Sequence, residues 1–270
     1  MDESEVLILI LSAALAVVGI VVNRTGGLHK LYFRDNPGPG IVRLGILMAM
    51  GWIALVLWLW ADPSVTGIYV FFYLVMGYAV VKLFGQSVVG WVGIRTRVDV
   101  GERRNVPAAL VVAAFILATG LIFGGSLWGE ADPVGDDEGG WWIPLTFFLL
   151  GWSALLLAFA LFLRREGNHF LRGIRRDRSL VDARTAAVFL LAAAVPLTDA
   201  VAGDFWGWRH GLLTFGVLAG LLLIHEVFRG WAEPGGPQGR DRKVEALAYA
   251  GLAALVWVVN RSLDLFLGAG

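Results

Sequence analysis

The sequence predicts an all-α fold, a polytopic transmembrane helical bundle of about eight spans built as two parallel four-helix repeats with both termini outside. Three observations predict it: a composition dominated by apolar residues, basic residues confined to alternate loops, and short motifs that recur at fixed offsets. Hydrophobic residues make up 57% of the 270, charged residues only 16%, and the mean hydropathy is +0.70. A soluble globule of this length carries a larger charged share. The formal net charge is zero and selects no partner by itself. With no cysteine, disulfides, thiolate metal sites and a cysteine nucleophile are excluded.

A helix needs about 20 mostly apolar residues to cross a hydrocarbon layer of roughly 30 Å. The first such run, Val6–Val22, follows the acidic start MDESEV, which lacks the basic stretch and cleavage site of a signal peptide, so it is read as a retained helix. Leu44–Ala61 comes next and ends in Trp58 and Trp60, rings that favour the membrane interface. Gly67–Phe84 is third and holds Lys82; Val106–Leu127 is fourth and rich in Gly and Ala. Trp141–Leu163 opens on an interfacial Trp pair, and Thr185–Val201 follows the most basic stretch of the chain. The last two, Trp206–Phe228 and Ala246–Leu265, carry interior charges.

Lys and Arg resist translocation, so in a correct set of spans they gather on one side. Arg24, Lys30, Arg34 and Arg43 lie near the first inside loop, and Lys82, Arg95, Arg97, Arg103 and Arg104 near the second. The third holds Arg164, Arg165, Arg172, Arg175, Arg176, Arg178 and Arg184, and the fourth Arg229, Arg240, Arg242 and Lys243. Only Arg209 and Arg261 fall on the other side. The expected orientation sets the N- and C-termini on the outer face.

Gly27-Leu28-His29-Lys30-Leu31 recurs as Gly167-Asn168-His169-Phe170-Leu171, and Gly90-Trp91 as Gly230-Trp231, both at an offset of 140. Ala61-Asp62-Pro63 recurs as Ala131-Asp132-Pro133 at an offset of 70, and Asn36 and Asn105 precede their spans at an offset of 69. The chain therefore divides into repeats at 1–135 and 136–270, each of two helix pairs. Units with an even number of spans enter the membrane in the same orientation, giving a parallel pseudo-symmetry. Gly120 with Gly124, Gly216 with Gly220, and Ala246, Ala250 and Ala254 are spaced four apart and offer faces for close helix packing.

Glu102-Arg103-Arg104-Asn105-Val106-Pro107-Ala108-Ala109-Leu110, running into the helix that ends Ala118-Thr119-Gly120-Leu121-Ile122-Phe123-Gly124-Gly125-Ser126, resembles the repeat unit of the YjfL-like bacterial inner-membrane family, a domain of unknown function. The resemblance is best over about 99–163, with Pro107 standing where the family has a small residue. It implies helix-pair repeats, here in a doubled, eight-span version, a setting in a bacterial inner (plasma) membrane, and a link to ATP-grasp enzymes resembling glutathionylspermidine synthases. It carries no catalytic residues across.

No HExxH, GxxxxGK[ST] or GxSxG motif is present, and the chain is not expected to be an enzyme, to hold a cofactor or metal, or to bind nucleic acid. The carboxylates Glu130, Asp132, Asp136, Asp137 and Glu138 lack the alternating spacing of a calcium loop and read as a solvated outer turn. Ionisable residues at membrane depth are the stronger candidates, because burying a charge there is costly. Lys82, His225 and Glu226 form an inner group, read either as a gate or proton relay or as snorkelling with a local Glu226–Arg229 pair. Asp199, Asp204, Arg209, His210, Asn260, Arg261 and Asp264 form an outer group, read either as a structural ion cluster or as an ion-attracting vestibule. His29 and His169 fit helix starts or turns. The sequence thus points to a transporter or channel-like component for a small solute or ion. The alternative is a membrane anchor whose basic loop, Leu163–Arg184, docks a cytosolic enzyme or anionic lipid.

Overall fold

The computed structural model describes residues 3–23, 36–62, 65–129, 140–202, 208–231 and 241–267, without the side chains of 208–213, 231, 260, 261 and 263–267. Every long element is a helix: α1 (Glu3–Val22), α2 (Gly38–Leu59), α3 (Ile68–Val80), α4 (Val106–Ser126), α5 (Trp142–Glu166), α6 (Asn168–Arg175), α7 (Leu180–Ala200), α8 (Trp208–Trp231) and α9 (Arg242–Leu267). α3 continues through a π-helical turn, Val81–Ser87, and a second π-helical turn, Thr96–Glu102, precedes α4. Among the described residues six helices are long and apolar enough to cross a membrane: α1, α2, α3 with its extension to Gly90, α4, α5 and α7. α8 and α9 are 24 and 26 residues long.

The helices form two rows. In the second row α2, α4, α7 and α9 run parallel, side by side. A methyl group at Gly45 would lie 2.9 Å from the Ala113 carbonyl oxygen, and one at Gly120 or Gly124 would collide with Ala49 or Trp52, so contacts advance together along α2 and α4. Small residues permit this approach, and in lipid the close dispersion contact they allow replaces a hydrophobic driving force. Trp52 Nε1 adds a hydrogen bond to the Leu121 carbonyl at 3.1 Å. α4 and α7 meet at Gly125 with Thr198 at one end, and at the other Asn105, at the start of α4, bonds to Ile174 of α6, which leads into α7. α7 and α9 meet at Asp182 with Arg242, then at Phe189 with Tyr249.

The first row, α1, α3, α5 and α8, runs the opposite way. Glu5 meets Tyr69 at the beginnings of α1 and α3, and Asn23 meets Ser87 at their ends. Phe84 packs edge-on against Phe148 and Trp152 of α5, and Arg165 of α5 meets Glu226 of α8. Between rows the order reverses: Gly77 faces Phe123 while Gly85 faces Ile116, and Phe162 stacks on Phe189 while Gly151 faces Val201. The central helix is α4, with 78% of its most apolar window buried against 17% for α1 at the edge. Large apolar side chains such as Leu47, Leu150, Leu157 and Leu223 face outward, as lipid contact requires. A continuous apolar core runs from Val42 to Ala253 across both halves.

Each second-row helix starts on a side-chain cap, which satisfies a backbone N–H that has no partner inside the helix. Asn36 Oδ1 accepts from Gly38 N, Asn105 Oδ1 from Ala108 N, Ser179 Oγ from Asp182 N, and Asp241 Oδ1 from Lys243 N. The two asparagines also tie neighbouring units together. Asn36 Nδ2 donates to the Val100 carbonyl at 3.0 Å, and Asn105 Nδ2 to those of Ile174 and Arg175 at 2.8 and 3.1 Å.

Three expectations change. Ala250 and Ala254 face outward, and α9 packs instead through Glu245, Tyr249 and Ala253, because its polar groups have ionic partners in the bundle. Gly216 is also exposed, whereas Gly220 does meet Leu252 of α9. The segment Leu163–Arg184 is not a loop: it contains the end of α5, all of α6 and the start of α7. α6 buries Phe170, Gly173 and Ile174 on the bundle and leaves His169 and Arg172 exposed. His169 lies at the start of this helix, after Gly167 at φ +76°. His29 and the acidic stretch 130–138 lie outside the described residues.

Candidate functional site

The parallel rows bring the ends of the first-row helices and the beginnings of the second-row helices to one end of the molecule. Buried polar side chains collect there in three places. The most extensive joins α5, α7, α8 and α9.

Helix termini position its members. Glu166 is the last residue of α5, stopped by Gly167. Asp182 and Glu245 stand in the first turns of α7 and α9, where the positive end of the helix dipole favours a carboxylate. Arg242 opens α9, and with Glu245 and Tyr249 at spacings of three and four it forms one face of that helix. His225 projects from α8 into this group, and His225 and Glu245 are both fully buried.

His225 Nδ1 lies 3.3 Å from Glu245 Oε1, 3.7 Å from Glu166 Oε1 and 3.2 Å from the Tyr249 hydroxyl. Tyr249 donates to Glu245 Oε1 at 2.5 Å. The Arg242 guanidinium grips Glu166 through two parallel bonds of 2.5 and 2.9 Å, reaches Glu245 Oε2 at 3.4 Å and pairs with Asp182 at 3.4 Å. The guanidinium thus meets three carboxylates, Glu166, Asp182 and Glu245. Phe162 covers the His225 ring with centroids 4.7 Å apart, and Phe170 lies 5.1 Å below the guanidinium. Apolar walls around charges strengthen every electrostatic interaction inside them. The group can therefore hold a proton or a cation among fixed carboxylates.

The second place joins α1 and α3. Lys82, on the π-helical turn, donates to Gln86, and Asn23 donates to Ser87 Oγ at 2.7 Å and to the Gly19 carbonyl at 3.0 Å. In the third, Asp99 is fully buried on the other π-helical turn, accepting from Arg103 at 3.0 Å and from Arg175 at 3.2 Å.

The inner group expected from the sequence is thus split. Lys82 belongs to the α1–α3 cluster, and His225 to the α5–α9 cluster. Glu226, next to His225 in sequence, points away and makes the expected local pair with Arg229 at 3.0 Å, to which the structure adds Arg165 of α5 at 3.1 Å. The residues that do meet His225 were missed, although Arg242, Glu245 and Tyr249 carry a readable one-face spacing on α9. Glu166 had no comparable signal, since its partners lie far along the chain. Of the outer group, Asp199 is half-buried near the end of α7. Asp204 and the side chains of Arg209, His210, Asn260, Arg261 and Asp264 lie outside the described residues. No family model, curated protein or solved structure matches this chain.

Proposed function

We propose that this chain is an eight-span integral membrane protein of the transport class, moving a small cation or proton. The observation that carries the reading is the buried group of Glu166, His225, Glu245 and Tyr249, with the partly buried Arg242 at its edge, inside an otherwise apolar helix array. Ionisable residues held within a membrane bundle mark ion or proton paths by default, because the bilayer penalises them. The recurrent caps, the parallel rows and the offsets of 70 and 140 support four helix-pair units in two halves, with α8 and α9 as the last spans. That arrangement fits a doubled YjfL-like plan. The basic end is the cytosolic one in this reading, which sets both termini outside.

The test is collapse of an imposed pH gradient in proteoliposomes, read by an entrapped dye. Wild type is expected to collapse it, and Glu245→Gln and His225→Gln to slow the collapse at least tenfold. Wild-type vesicles no leakier than empty ones overturn the reading.

A second reading, an anchor at a membrane surface, rests on α6. Its apolar face packs on the bundle while Arg172, and Arg176 just after its end, face outward, a disposition suited to anionic headgroups. Retention on phosphatidylserine-containing vesicles that weakens when Arg172 and Arg176 become Ala would favour it.

A further inference from the structure

We infer that Glu166, His225 and Glu245 form a binding site for a first-row divalent transition ion, with Zn²⁺ as its probe. The inference goes beyond the transport reading, because a metal that only braces the helix array would bind the same residues.

Three protein ligands from three helices converge, and all their donor atoms lie within 4.8 Å of one another. Zinc bound to imidazole nitrogen and carboxylate oxygen at about 2.0–2.2 Å in a tetrahedron sets neighbouring donors about 3.3 Å apart. The His225 Nδ1 separations of 3.3 Å to Glu245 Oε1 and 3.7 Å to Glu166 Oε1 are already near that edge. The Tyr249 oxygen, 3.2 Å from Nδ1, stands beside the place a fourth ligand or water would take.

The donor chemistry selects the ion. One nitrogen and a few carboxylate oxygens suit zinc, manganese or iron, whereas calcium requires six to eight oxygens. Charge favours a dication too: among the described residues three carboxylates, Glu166, Glu245 and Asp182, meet the one guanidinium of Arg242. Arg242 Nη1 bridges Glu166 and Glu245, the role a metal ion plays between two carboxylates. An entering ion takes the Glu166 oxygen nearest His225, and Arg242 keeps Asp182 and the other Glu166 oxygen. The guanidinium thereby becomes an outer partner that orients a ligating carboxylate.

The test uses the full chain, purified in detergent, stripped with a chelator and titrated with ZnCl₂ by calorimetry. One equivalent per chain is expected, with affinity at least tenfold weaker in His225→Gln and in Glu245→Gln, and unchanged in Glu226→Gln, whose carboxylate lies outside the group. Excess Ca²⁺ is expected not to displace Zn²⁺. Because the buried variants can fail to fold, wild type is also loaded with Co²⁺, where four-coordinate binding gives intense visible d–d absorption. Wild type that binds no Zn²⁺ at one equivalent, a pale six-coordinate cobalt spectrum, or an equal loss in Glu226→Gln overturns the site. Zn²⁺ binding without proton flux sinks the transport reading and leaves the site standing. Flux without Zn²⁺ binding does the reverse.

Discussion

The α1–α3 cluster and the α5–α9 cluster occupy comparable places, each where two parallel first-row helices end, yet they are made of opposite chemistry. Around Lys82 the partners are amides, a hydroxyl and backbone carbonyls, nearly all supplied by α1 and the π-helical turn. Around His225, on α8, they are carboxylates, a guanidinium and a phenol drawn from three other helices. The first is stitched locally and holds two helices together. The second depends on distant elements arriving in register, and its charges have been removed from water to meet one another. Such a group is a poor stabiliser compared with apolar packing, but breaking it is expensive, because each remaining charge is left buried with fewer partners. The contrast teaches that one end of a helix framework can carry a structural polar clasp between one pair of helices and a buried ionic group between another.

The largest expected effect comes from removing a carboxylate of the second cluster. Glu166→Ala takes away both bonds to the guanidinium and is expected to destabilise by about 3–5 kcal/mol, the range for orphaning one member of a buried ion pair. Thermal unfolding in detergent, compared with Asp182→Ala at the more exposed edge, checks it; equal small losses would erase the contrast. A smaller effect follows from Gly19, where a Cβ would lie 2.7 Å from Lys82 Cβ. Gly19→Val pushes α1 off α3 at a cost of about 1–3 kcal/mol, typical of overpacking, and denaturant midpoints measure it. Smallest is Lys82→Met, which keeps the stem and removes a charge whose bond is to an amide; a change of roughly 1 kcal/mol or less is expected. A loss matching Glu166→Ala would mean that the Lys82 ammonium is held as firmly as the Arg242 guanidinium, and the two clusters would then be alike.

The positions of the six long apolar helices were legible because apolar runs and interrupting charges are local properties of a chain in lipid. The fourth span was expected at Val106–Leu127 and α4 covers Val106–Ser126. The second was expected from Leu44, yet α2 begins at Gly38, because Asn36 caps it while bonding across to the segment before α4. Gly120 and Gly124 were recognised as a packing face, and they meet α2; the alanine stripe of α9 had the same spacing and is not one. Spacing defines a face but does not say what will sit against it.

The residues themselves determined an apolar, helical, membrane-suited chain, with its basic groups at alternate turns, since hydration cost and periodicity act over a few neighbours. Only the tertiary structure decided that Glu226 faces Arg229 and Arg165 while His225, one residue earlier, faces Glu166 and Glu245. Adjacent residues on a helix differ by about 100° in direction, so which of them turns inward depends on where the neighbouring helices stand. A buried ionic site is made from that choice, with ligands some 20 to 80 residues apart in the chain brought together by helix ends that meet at one level.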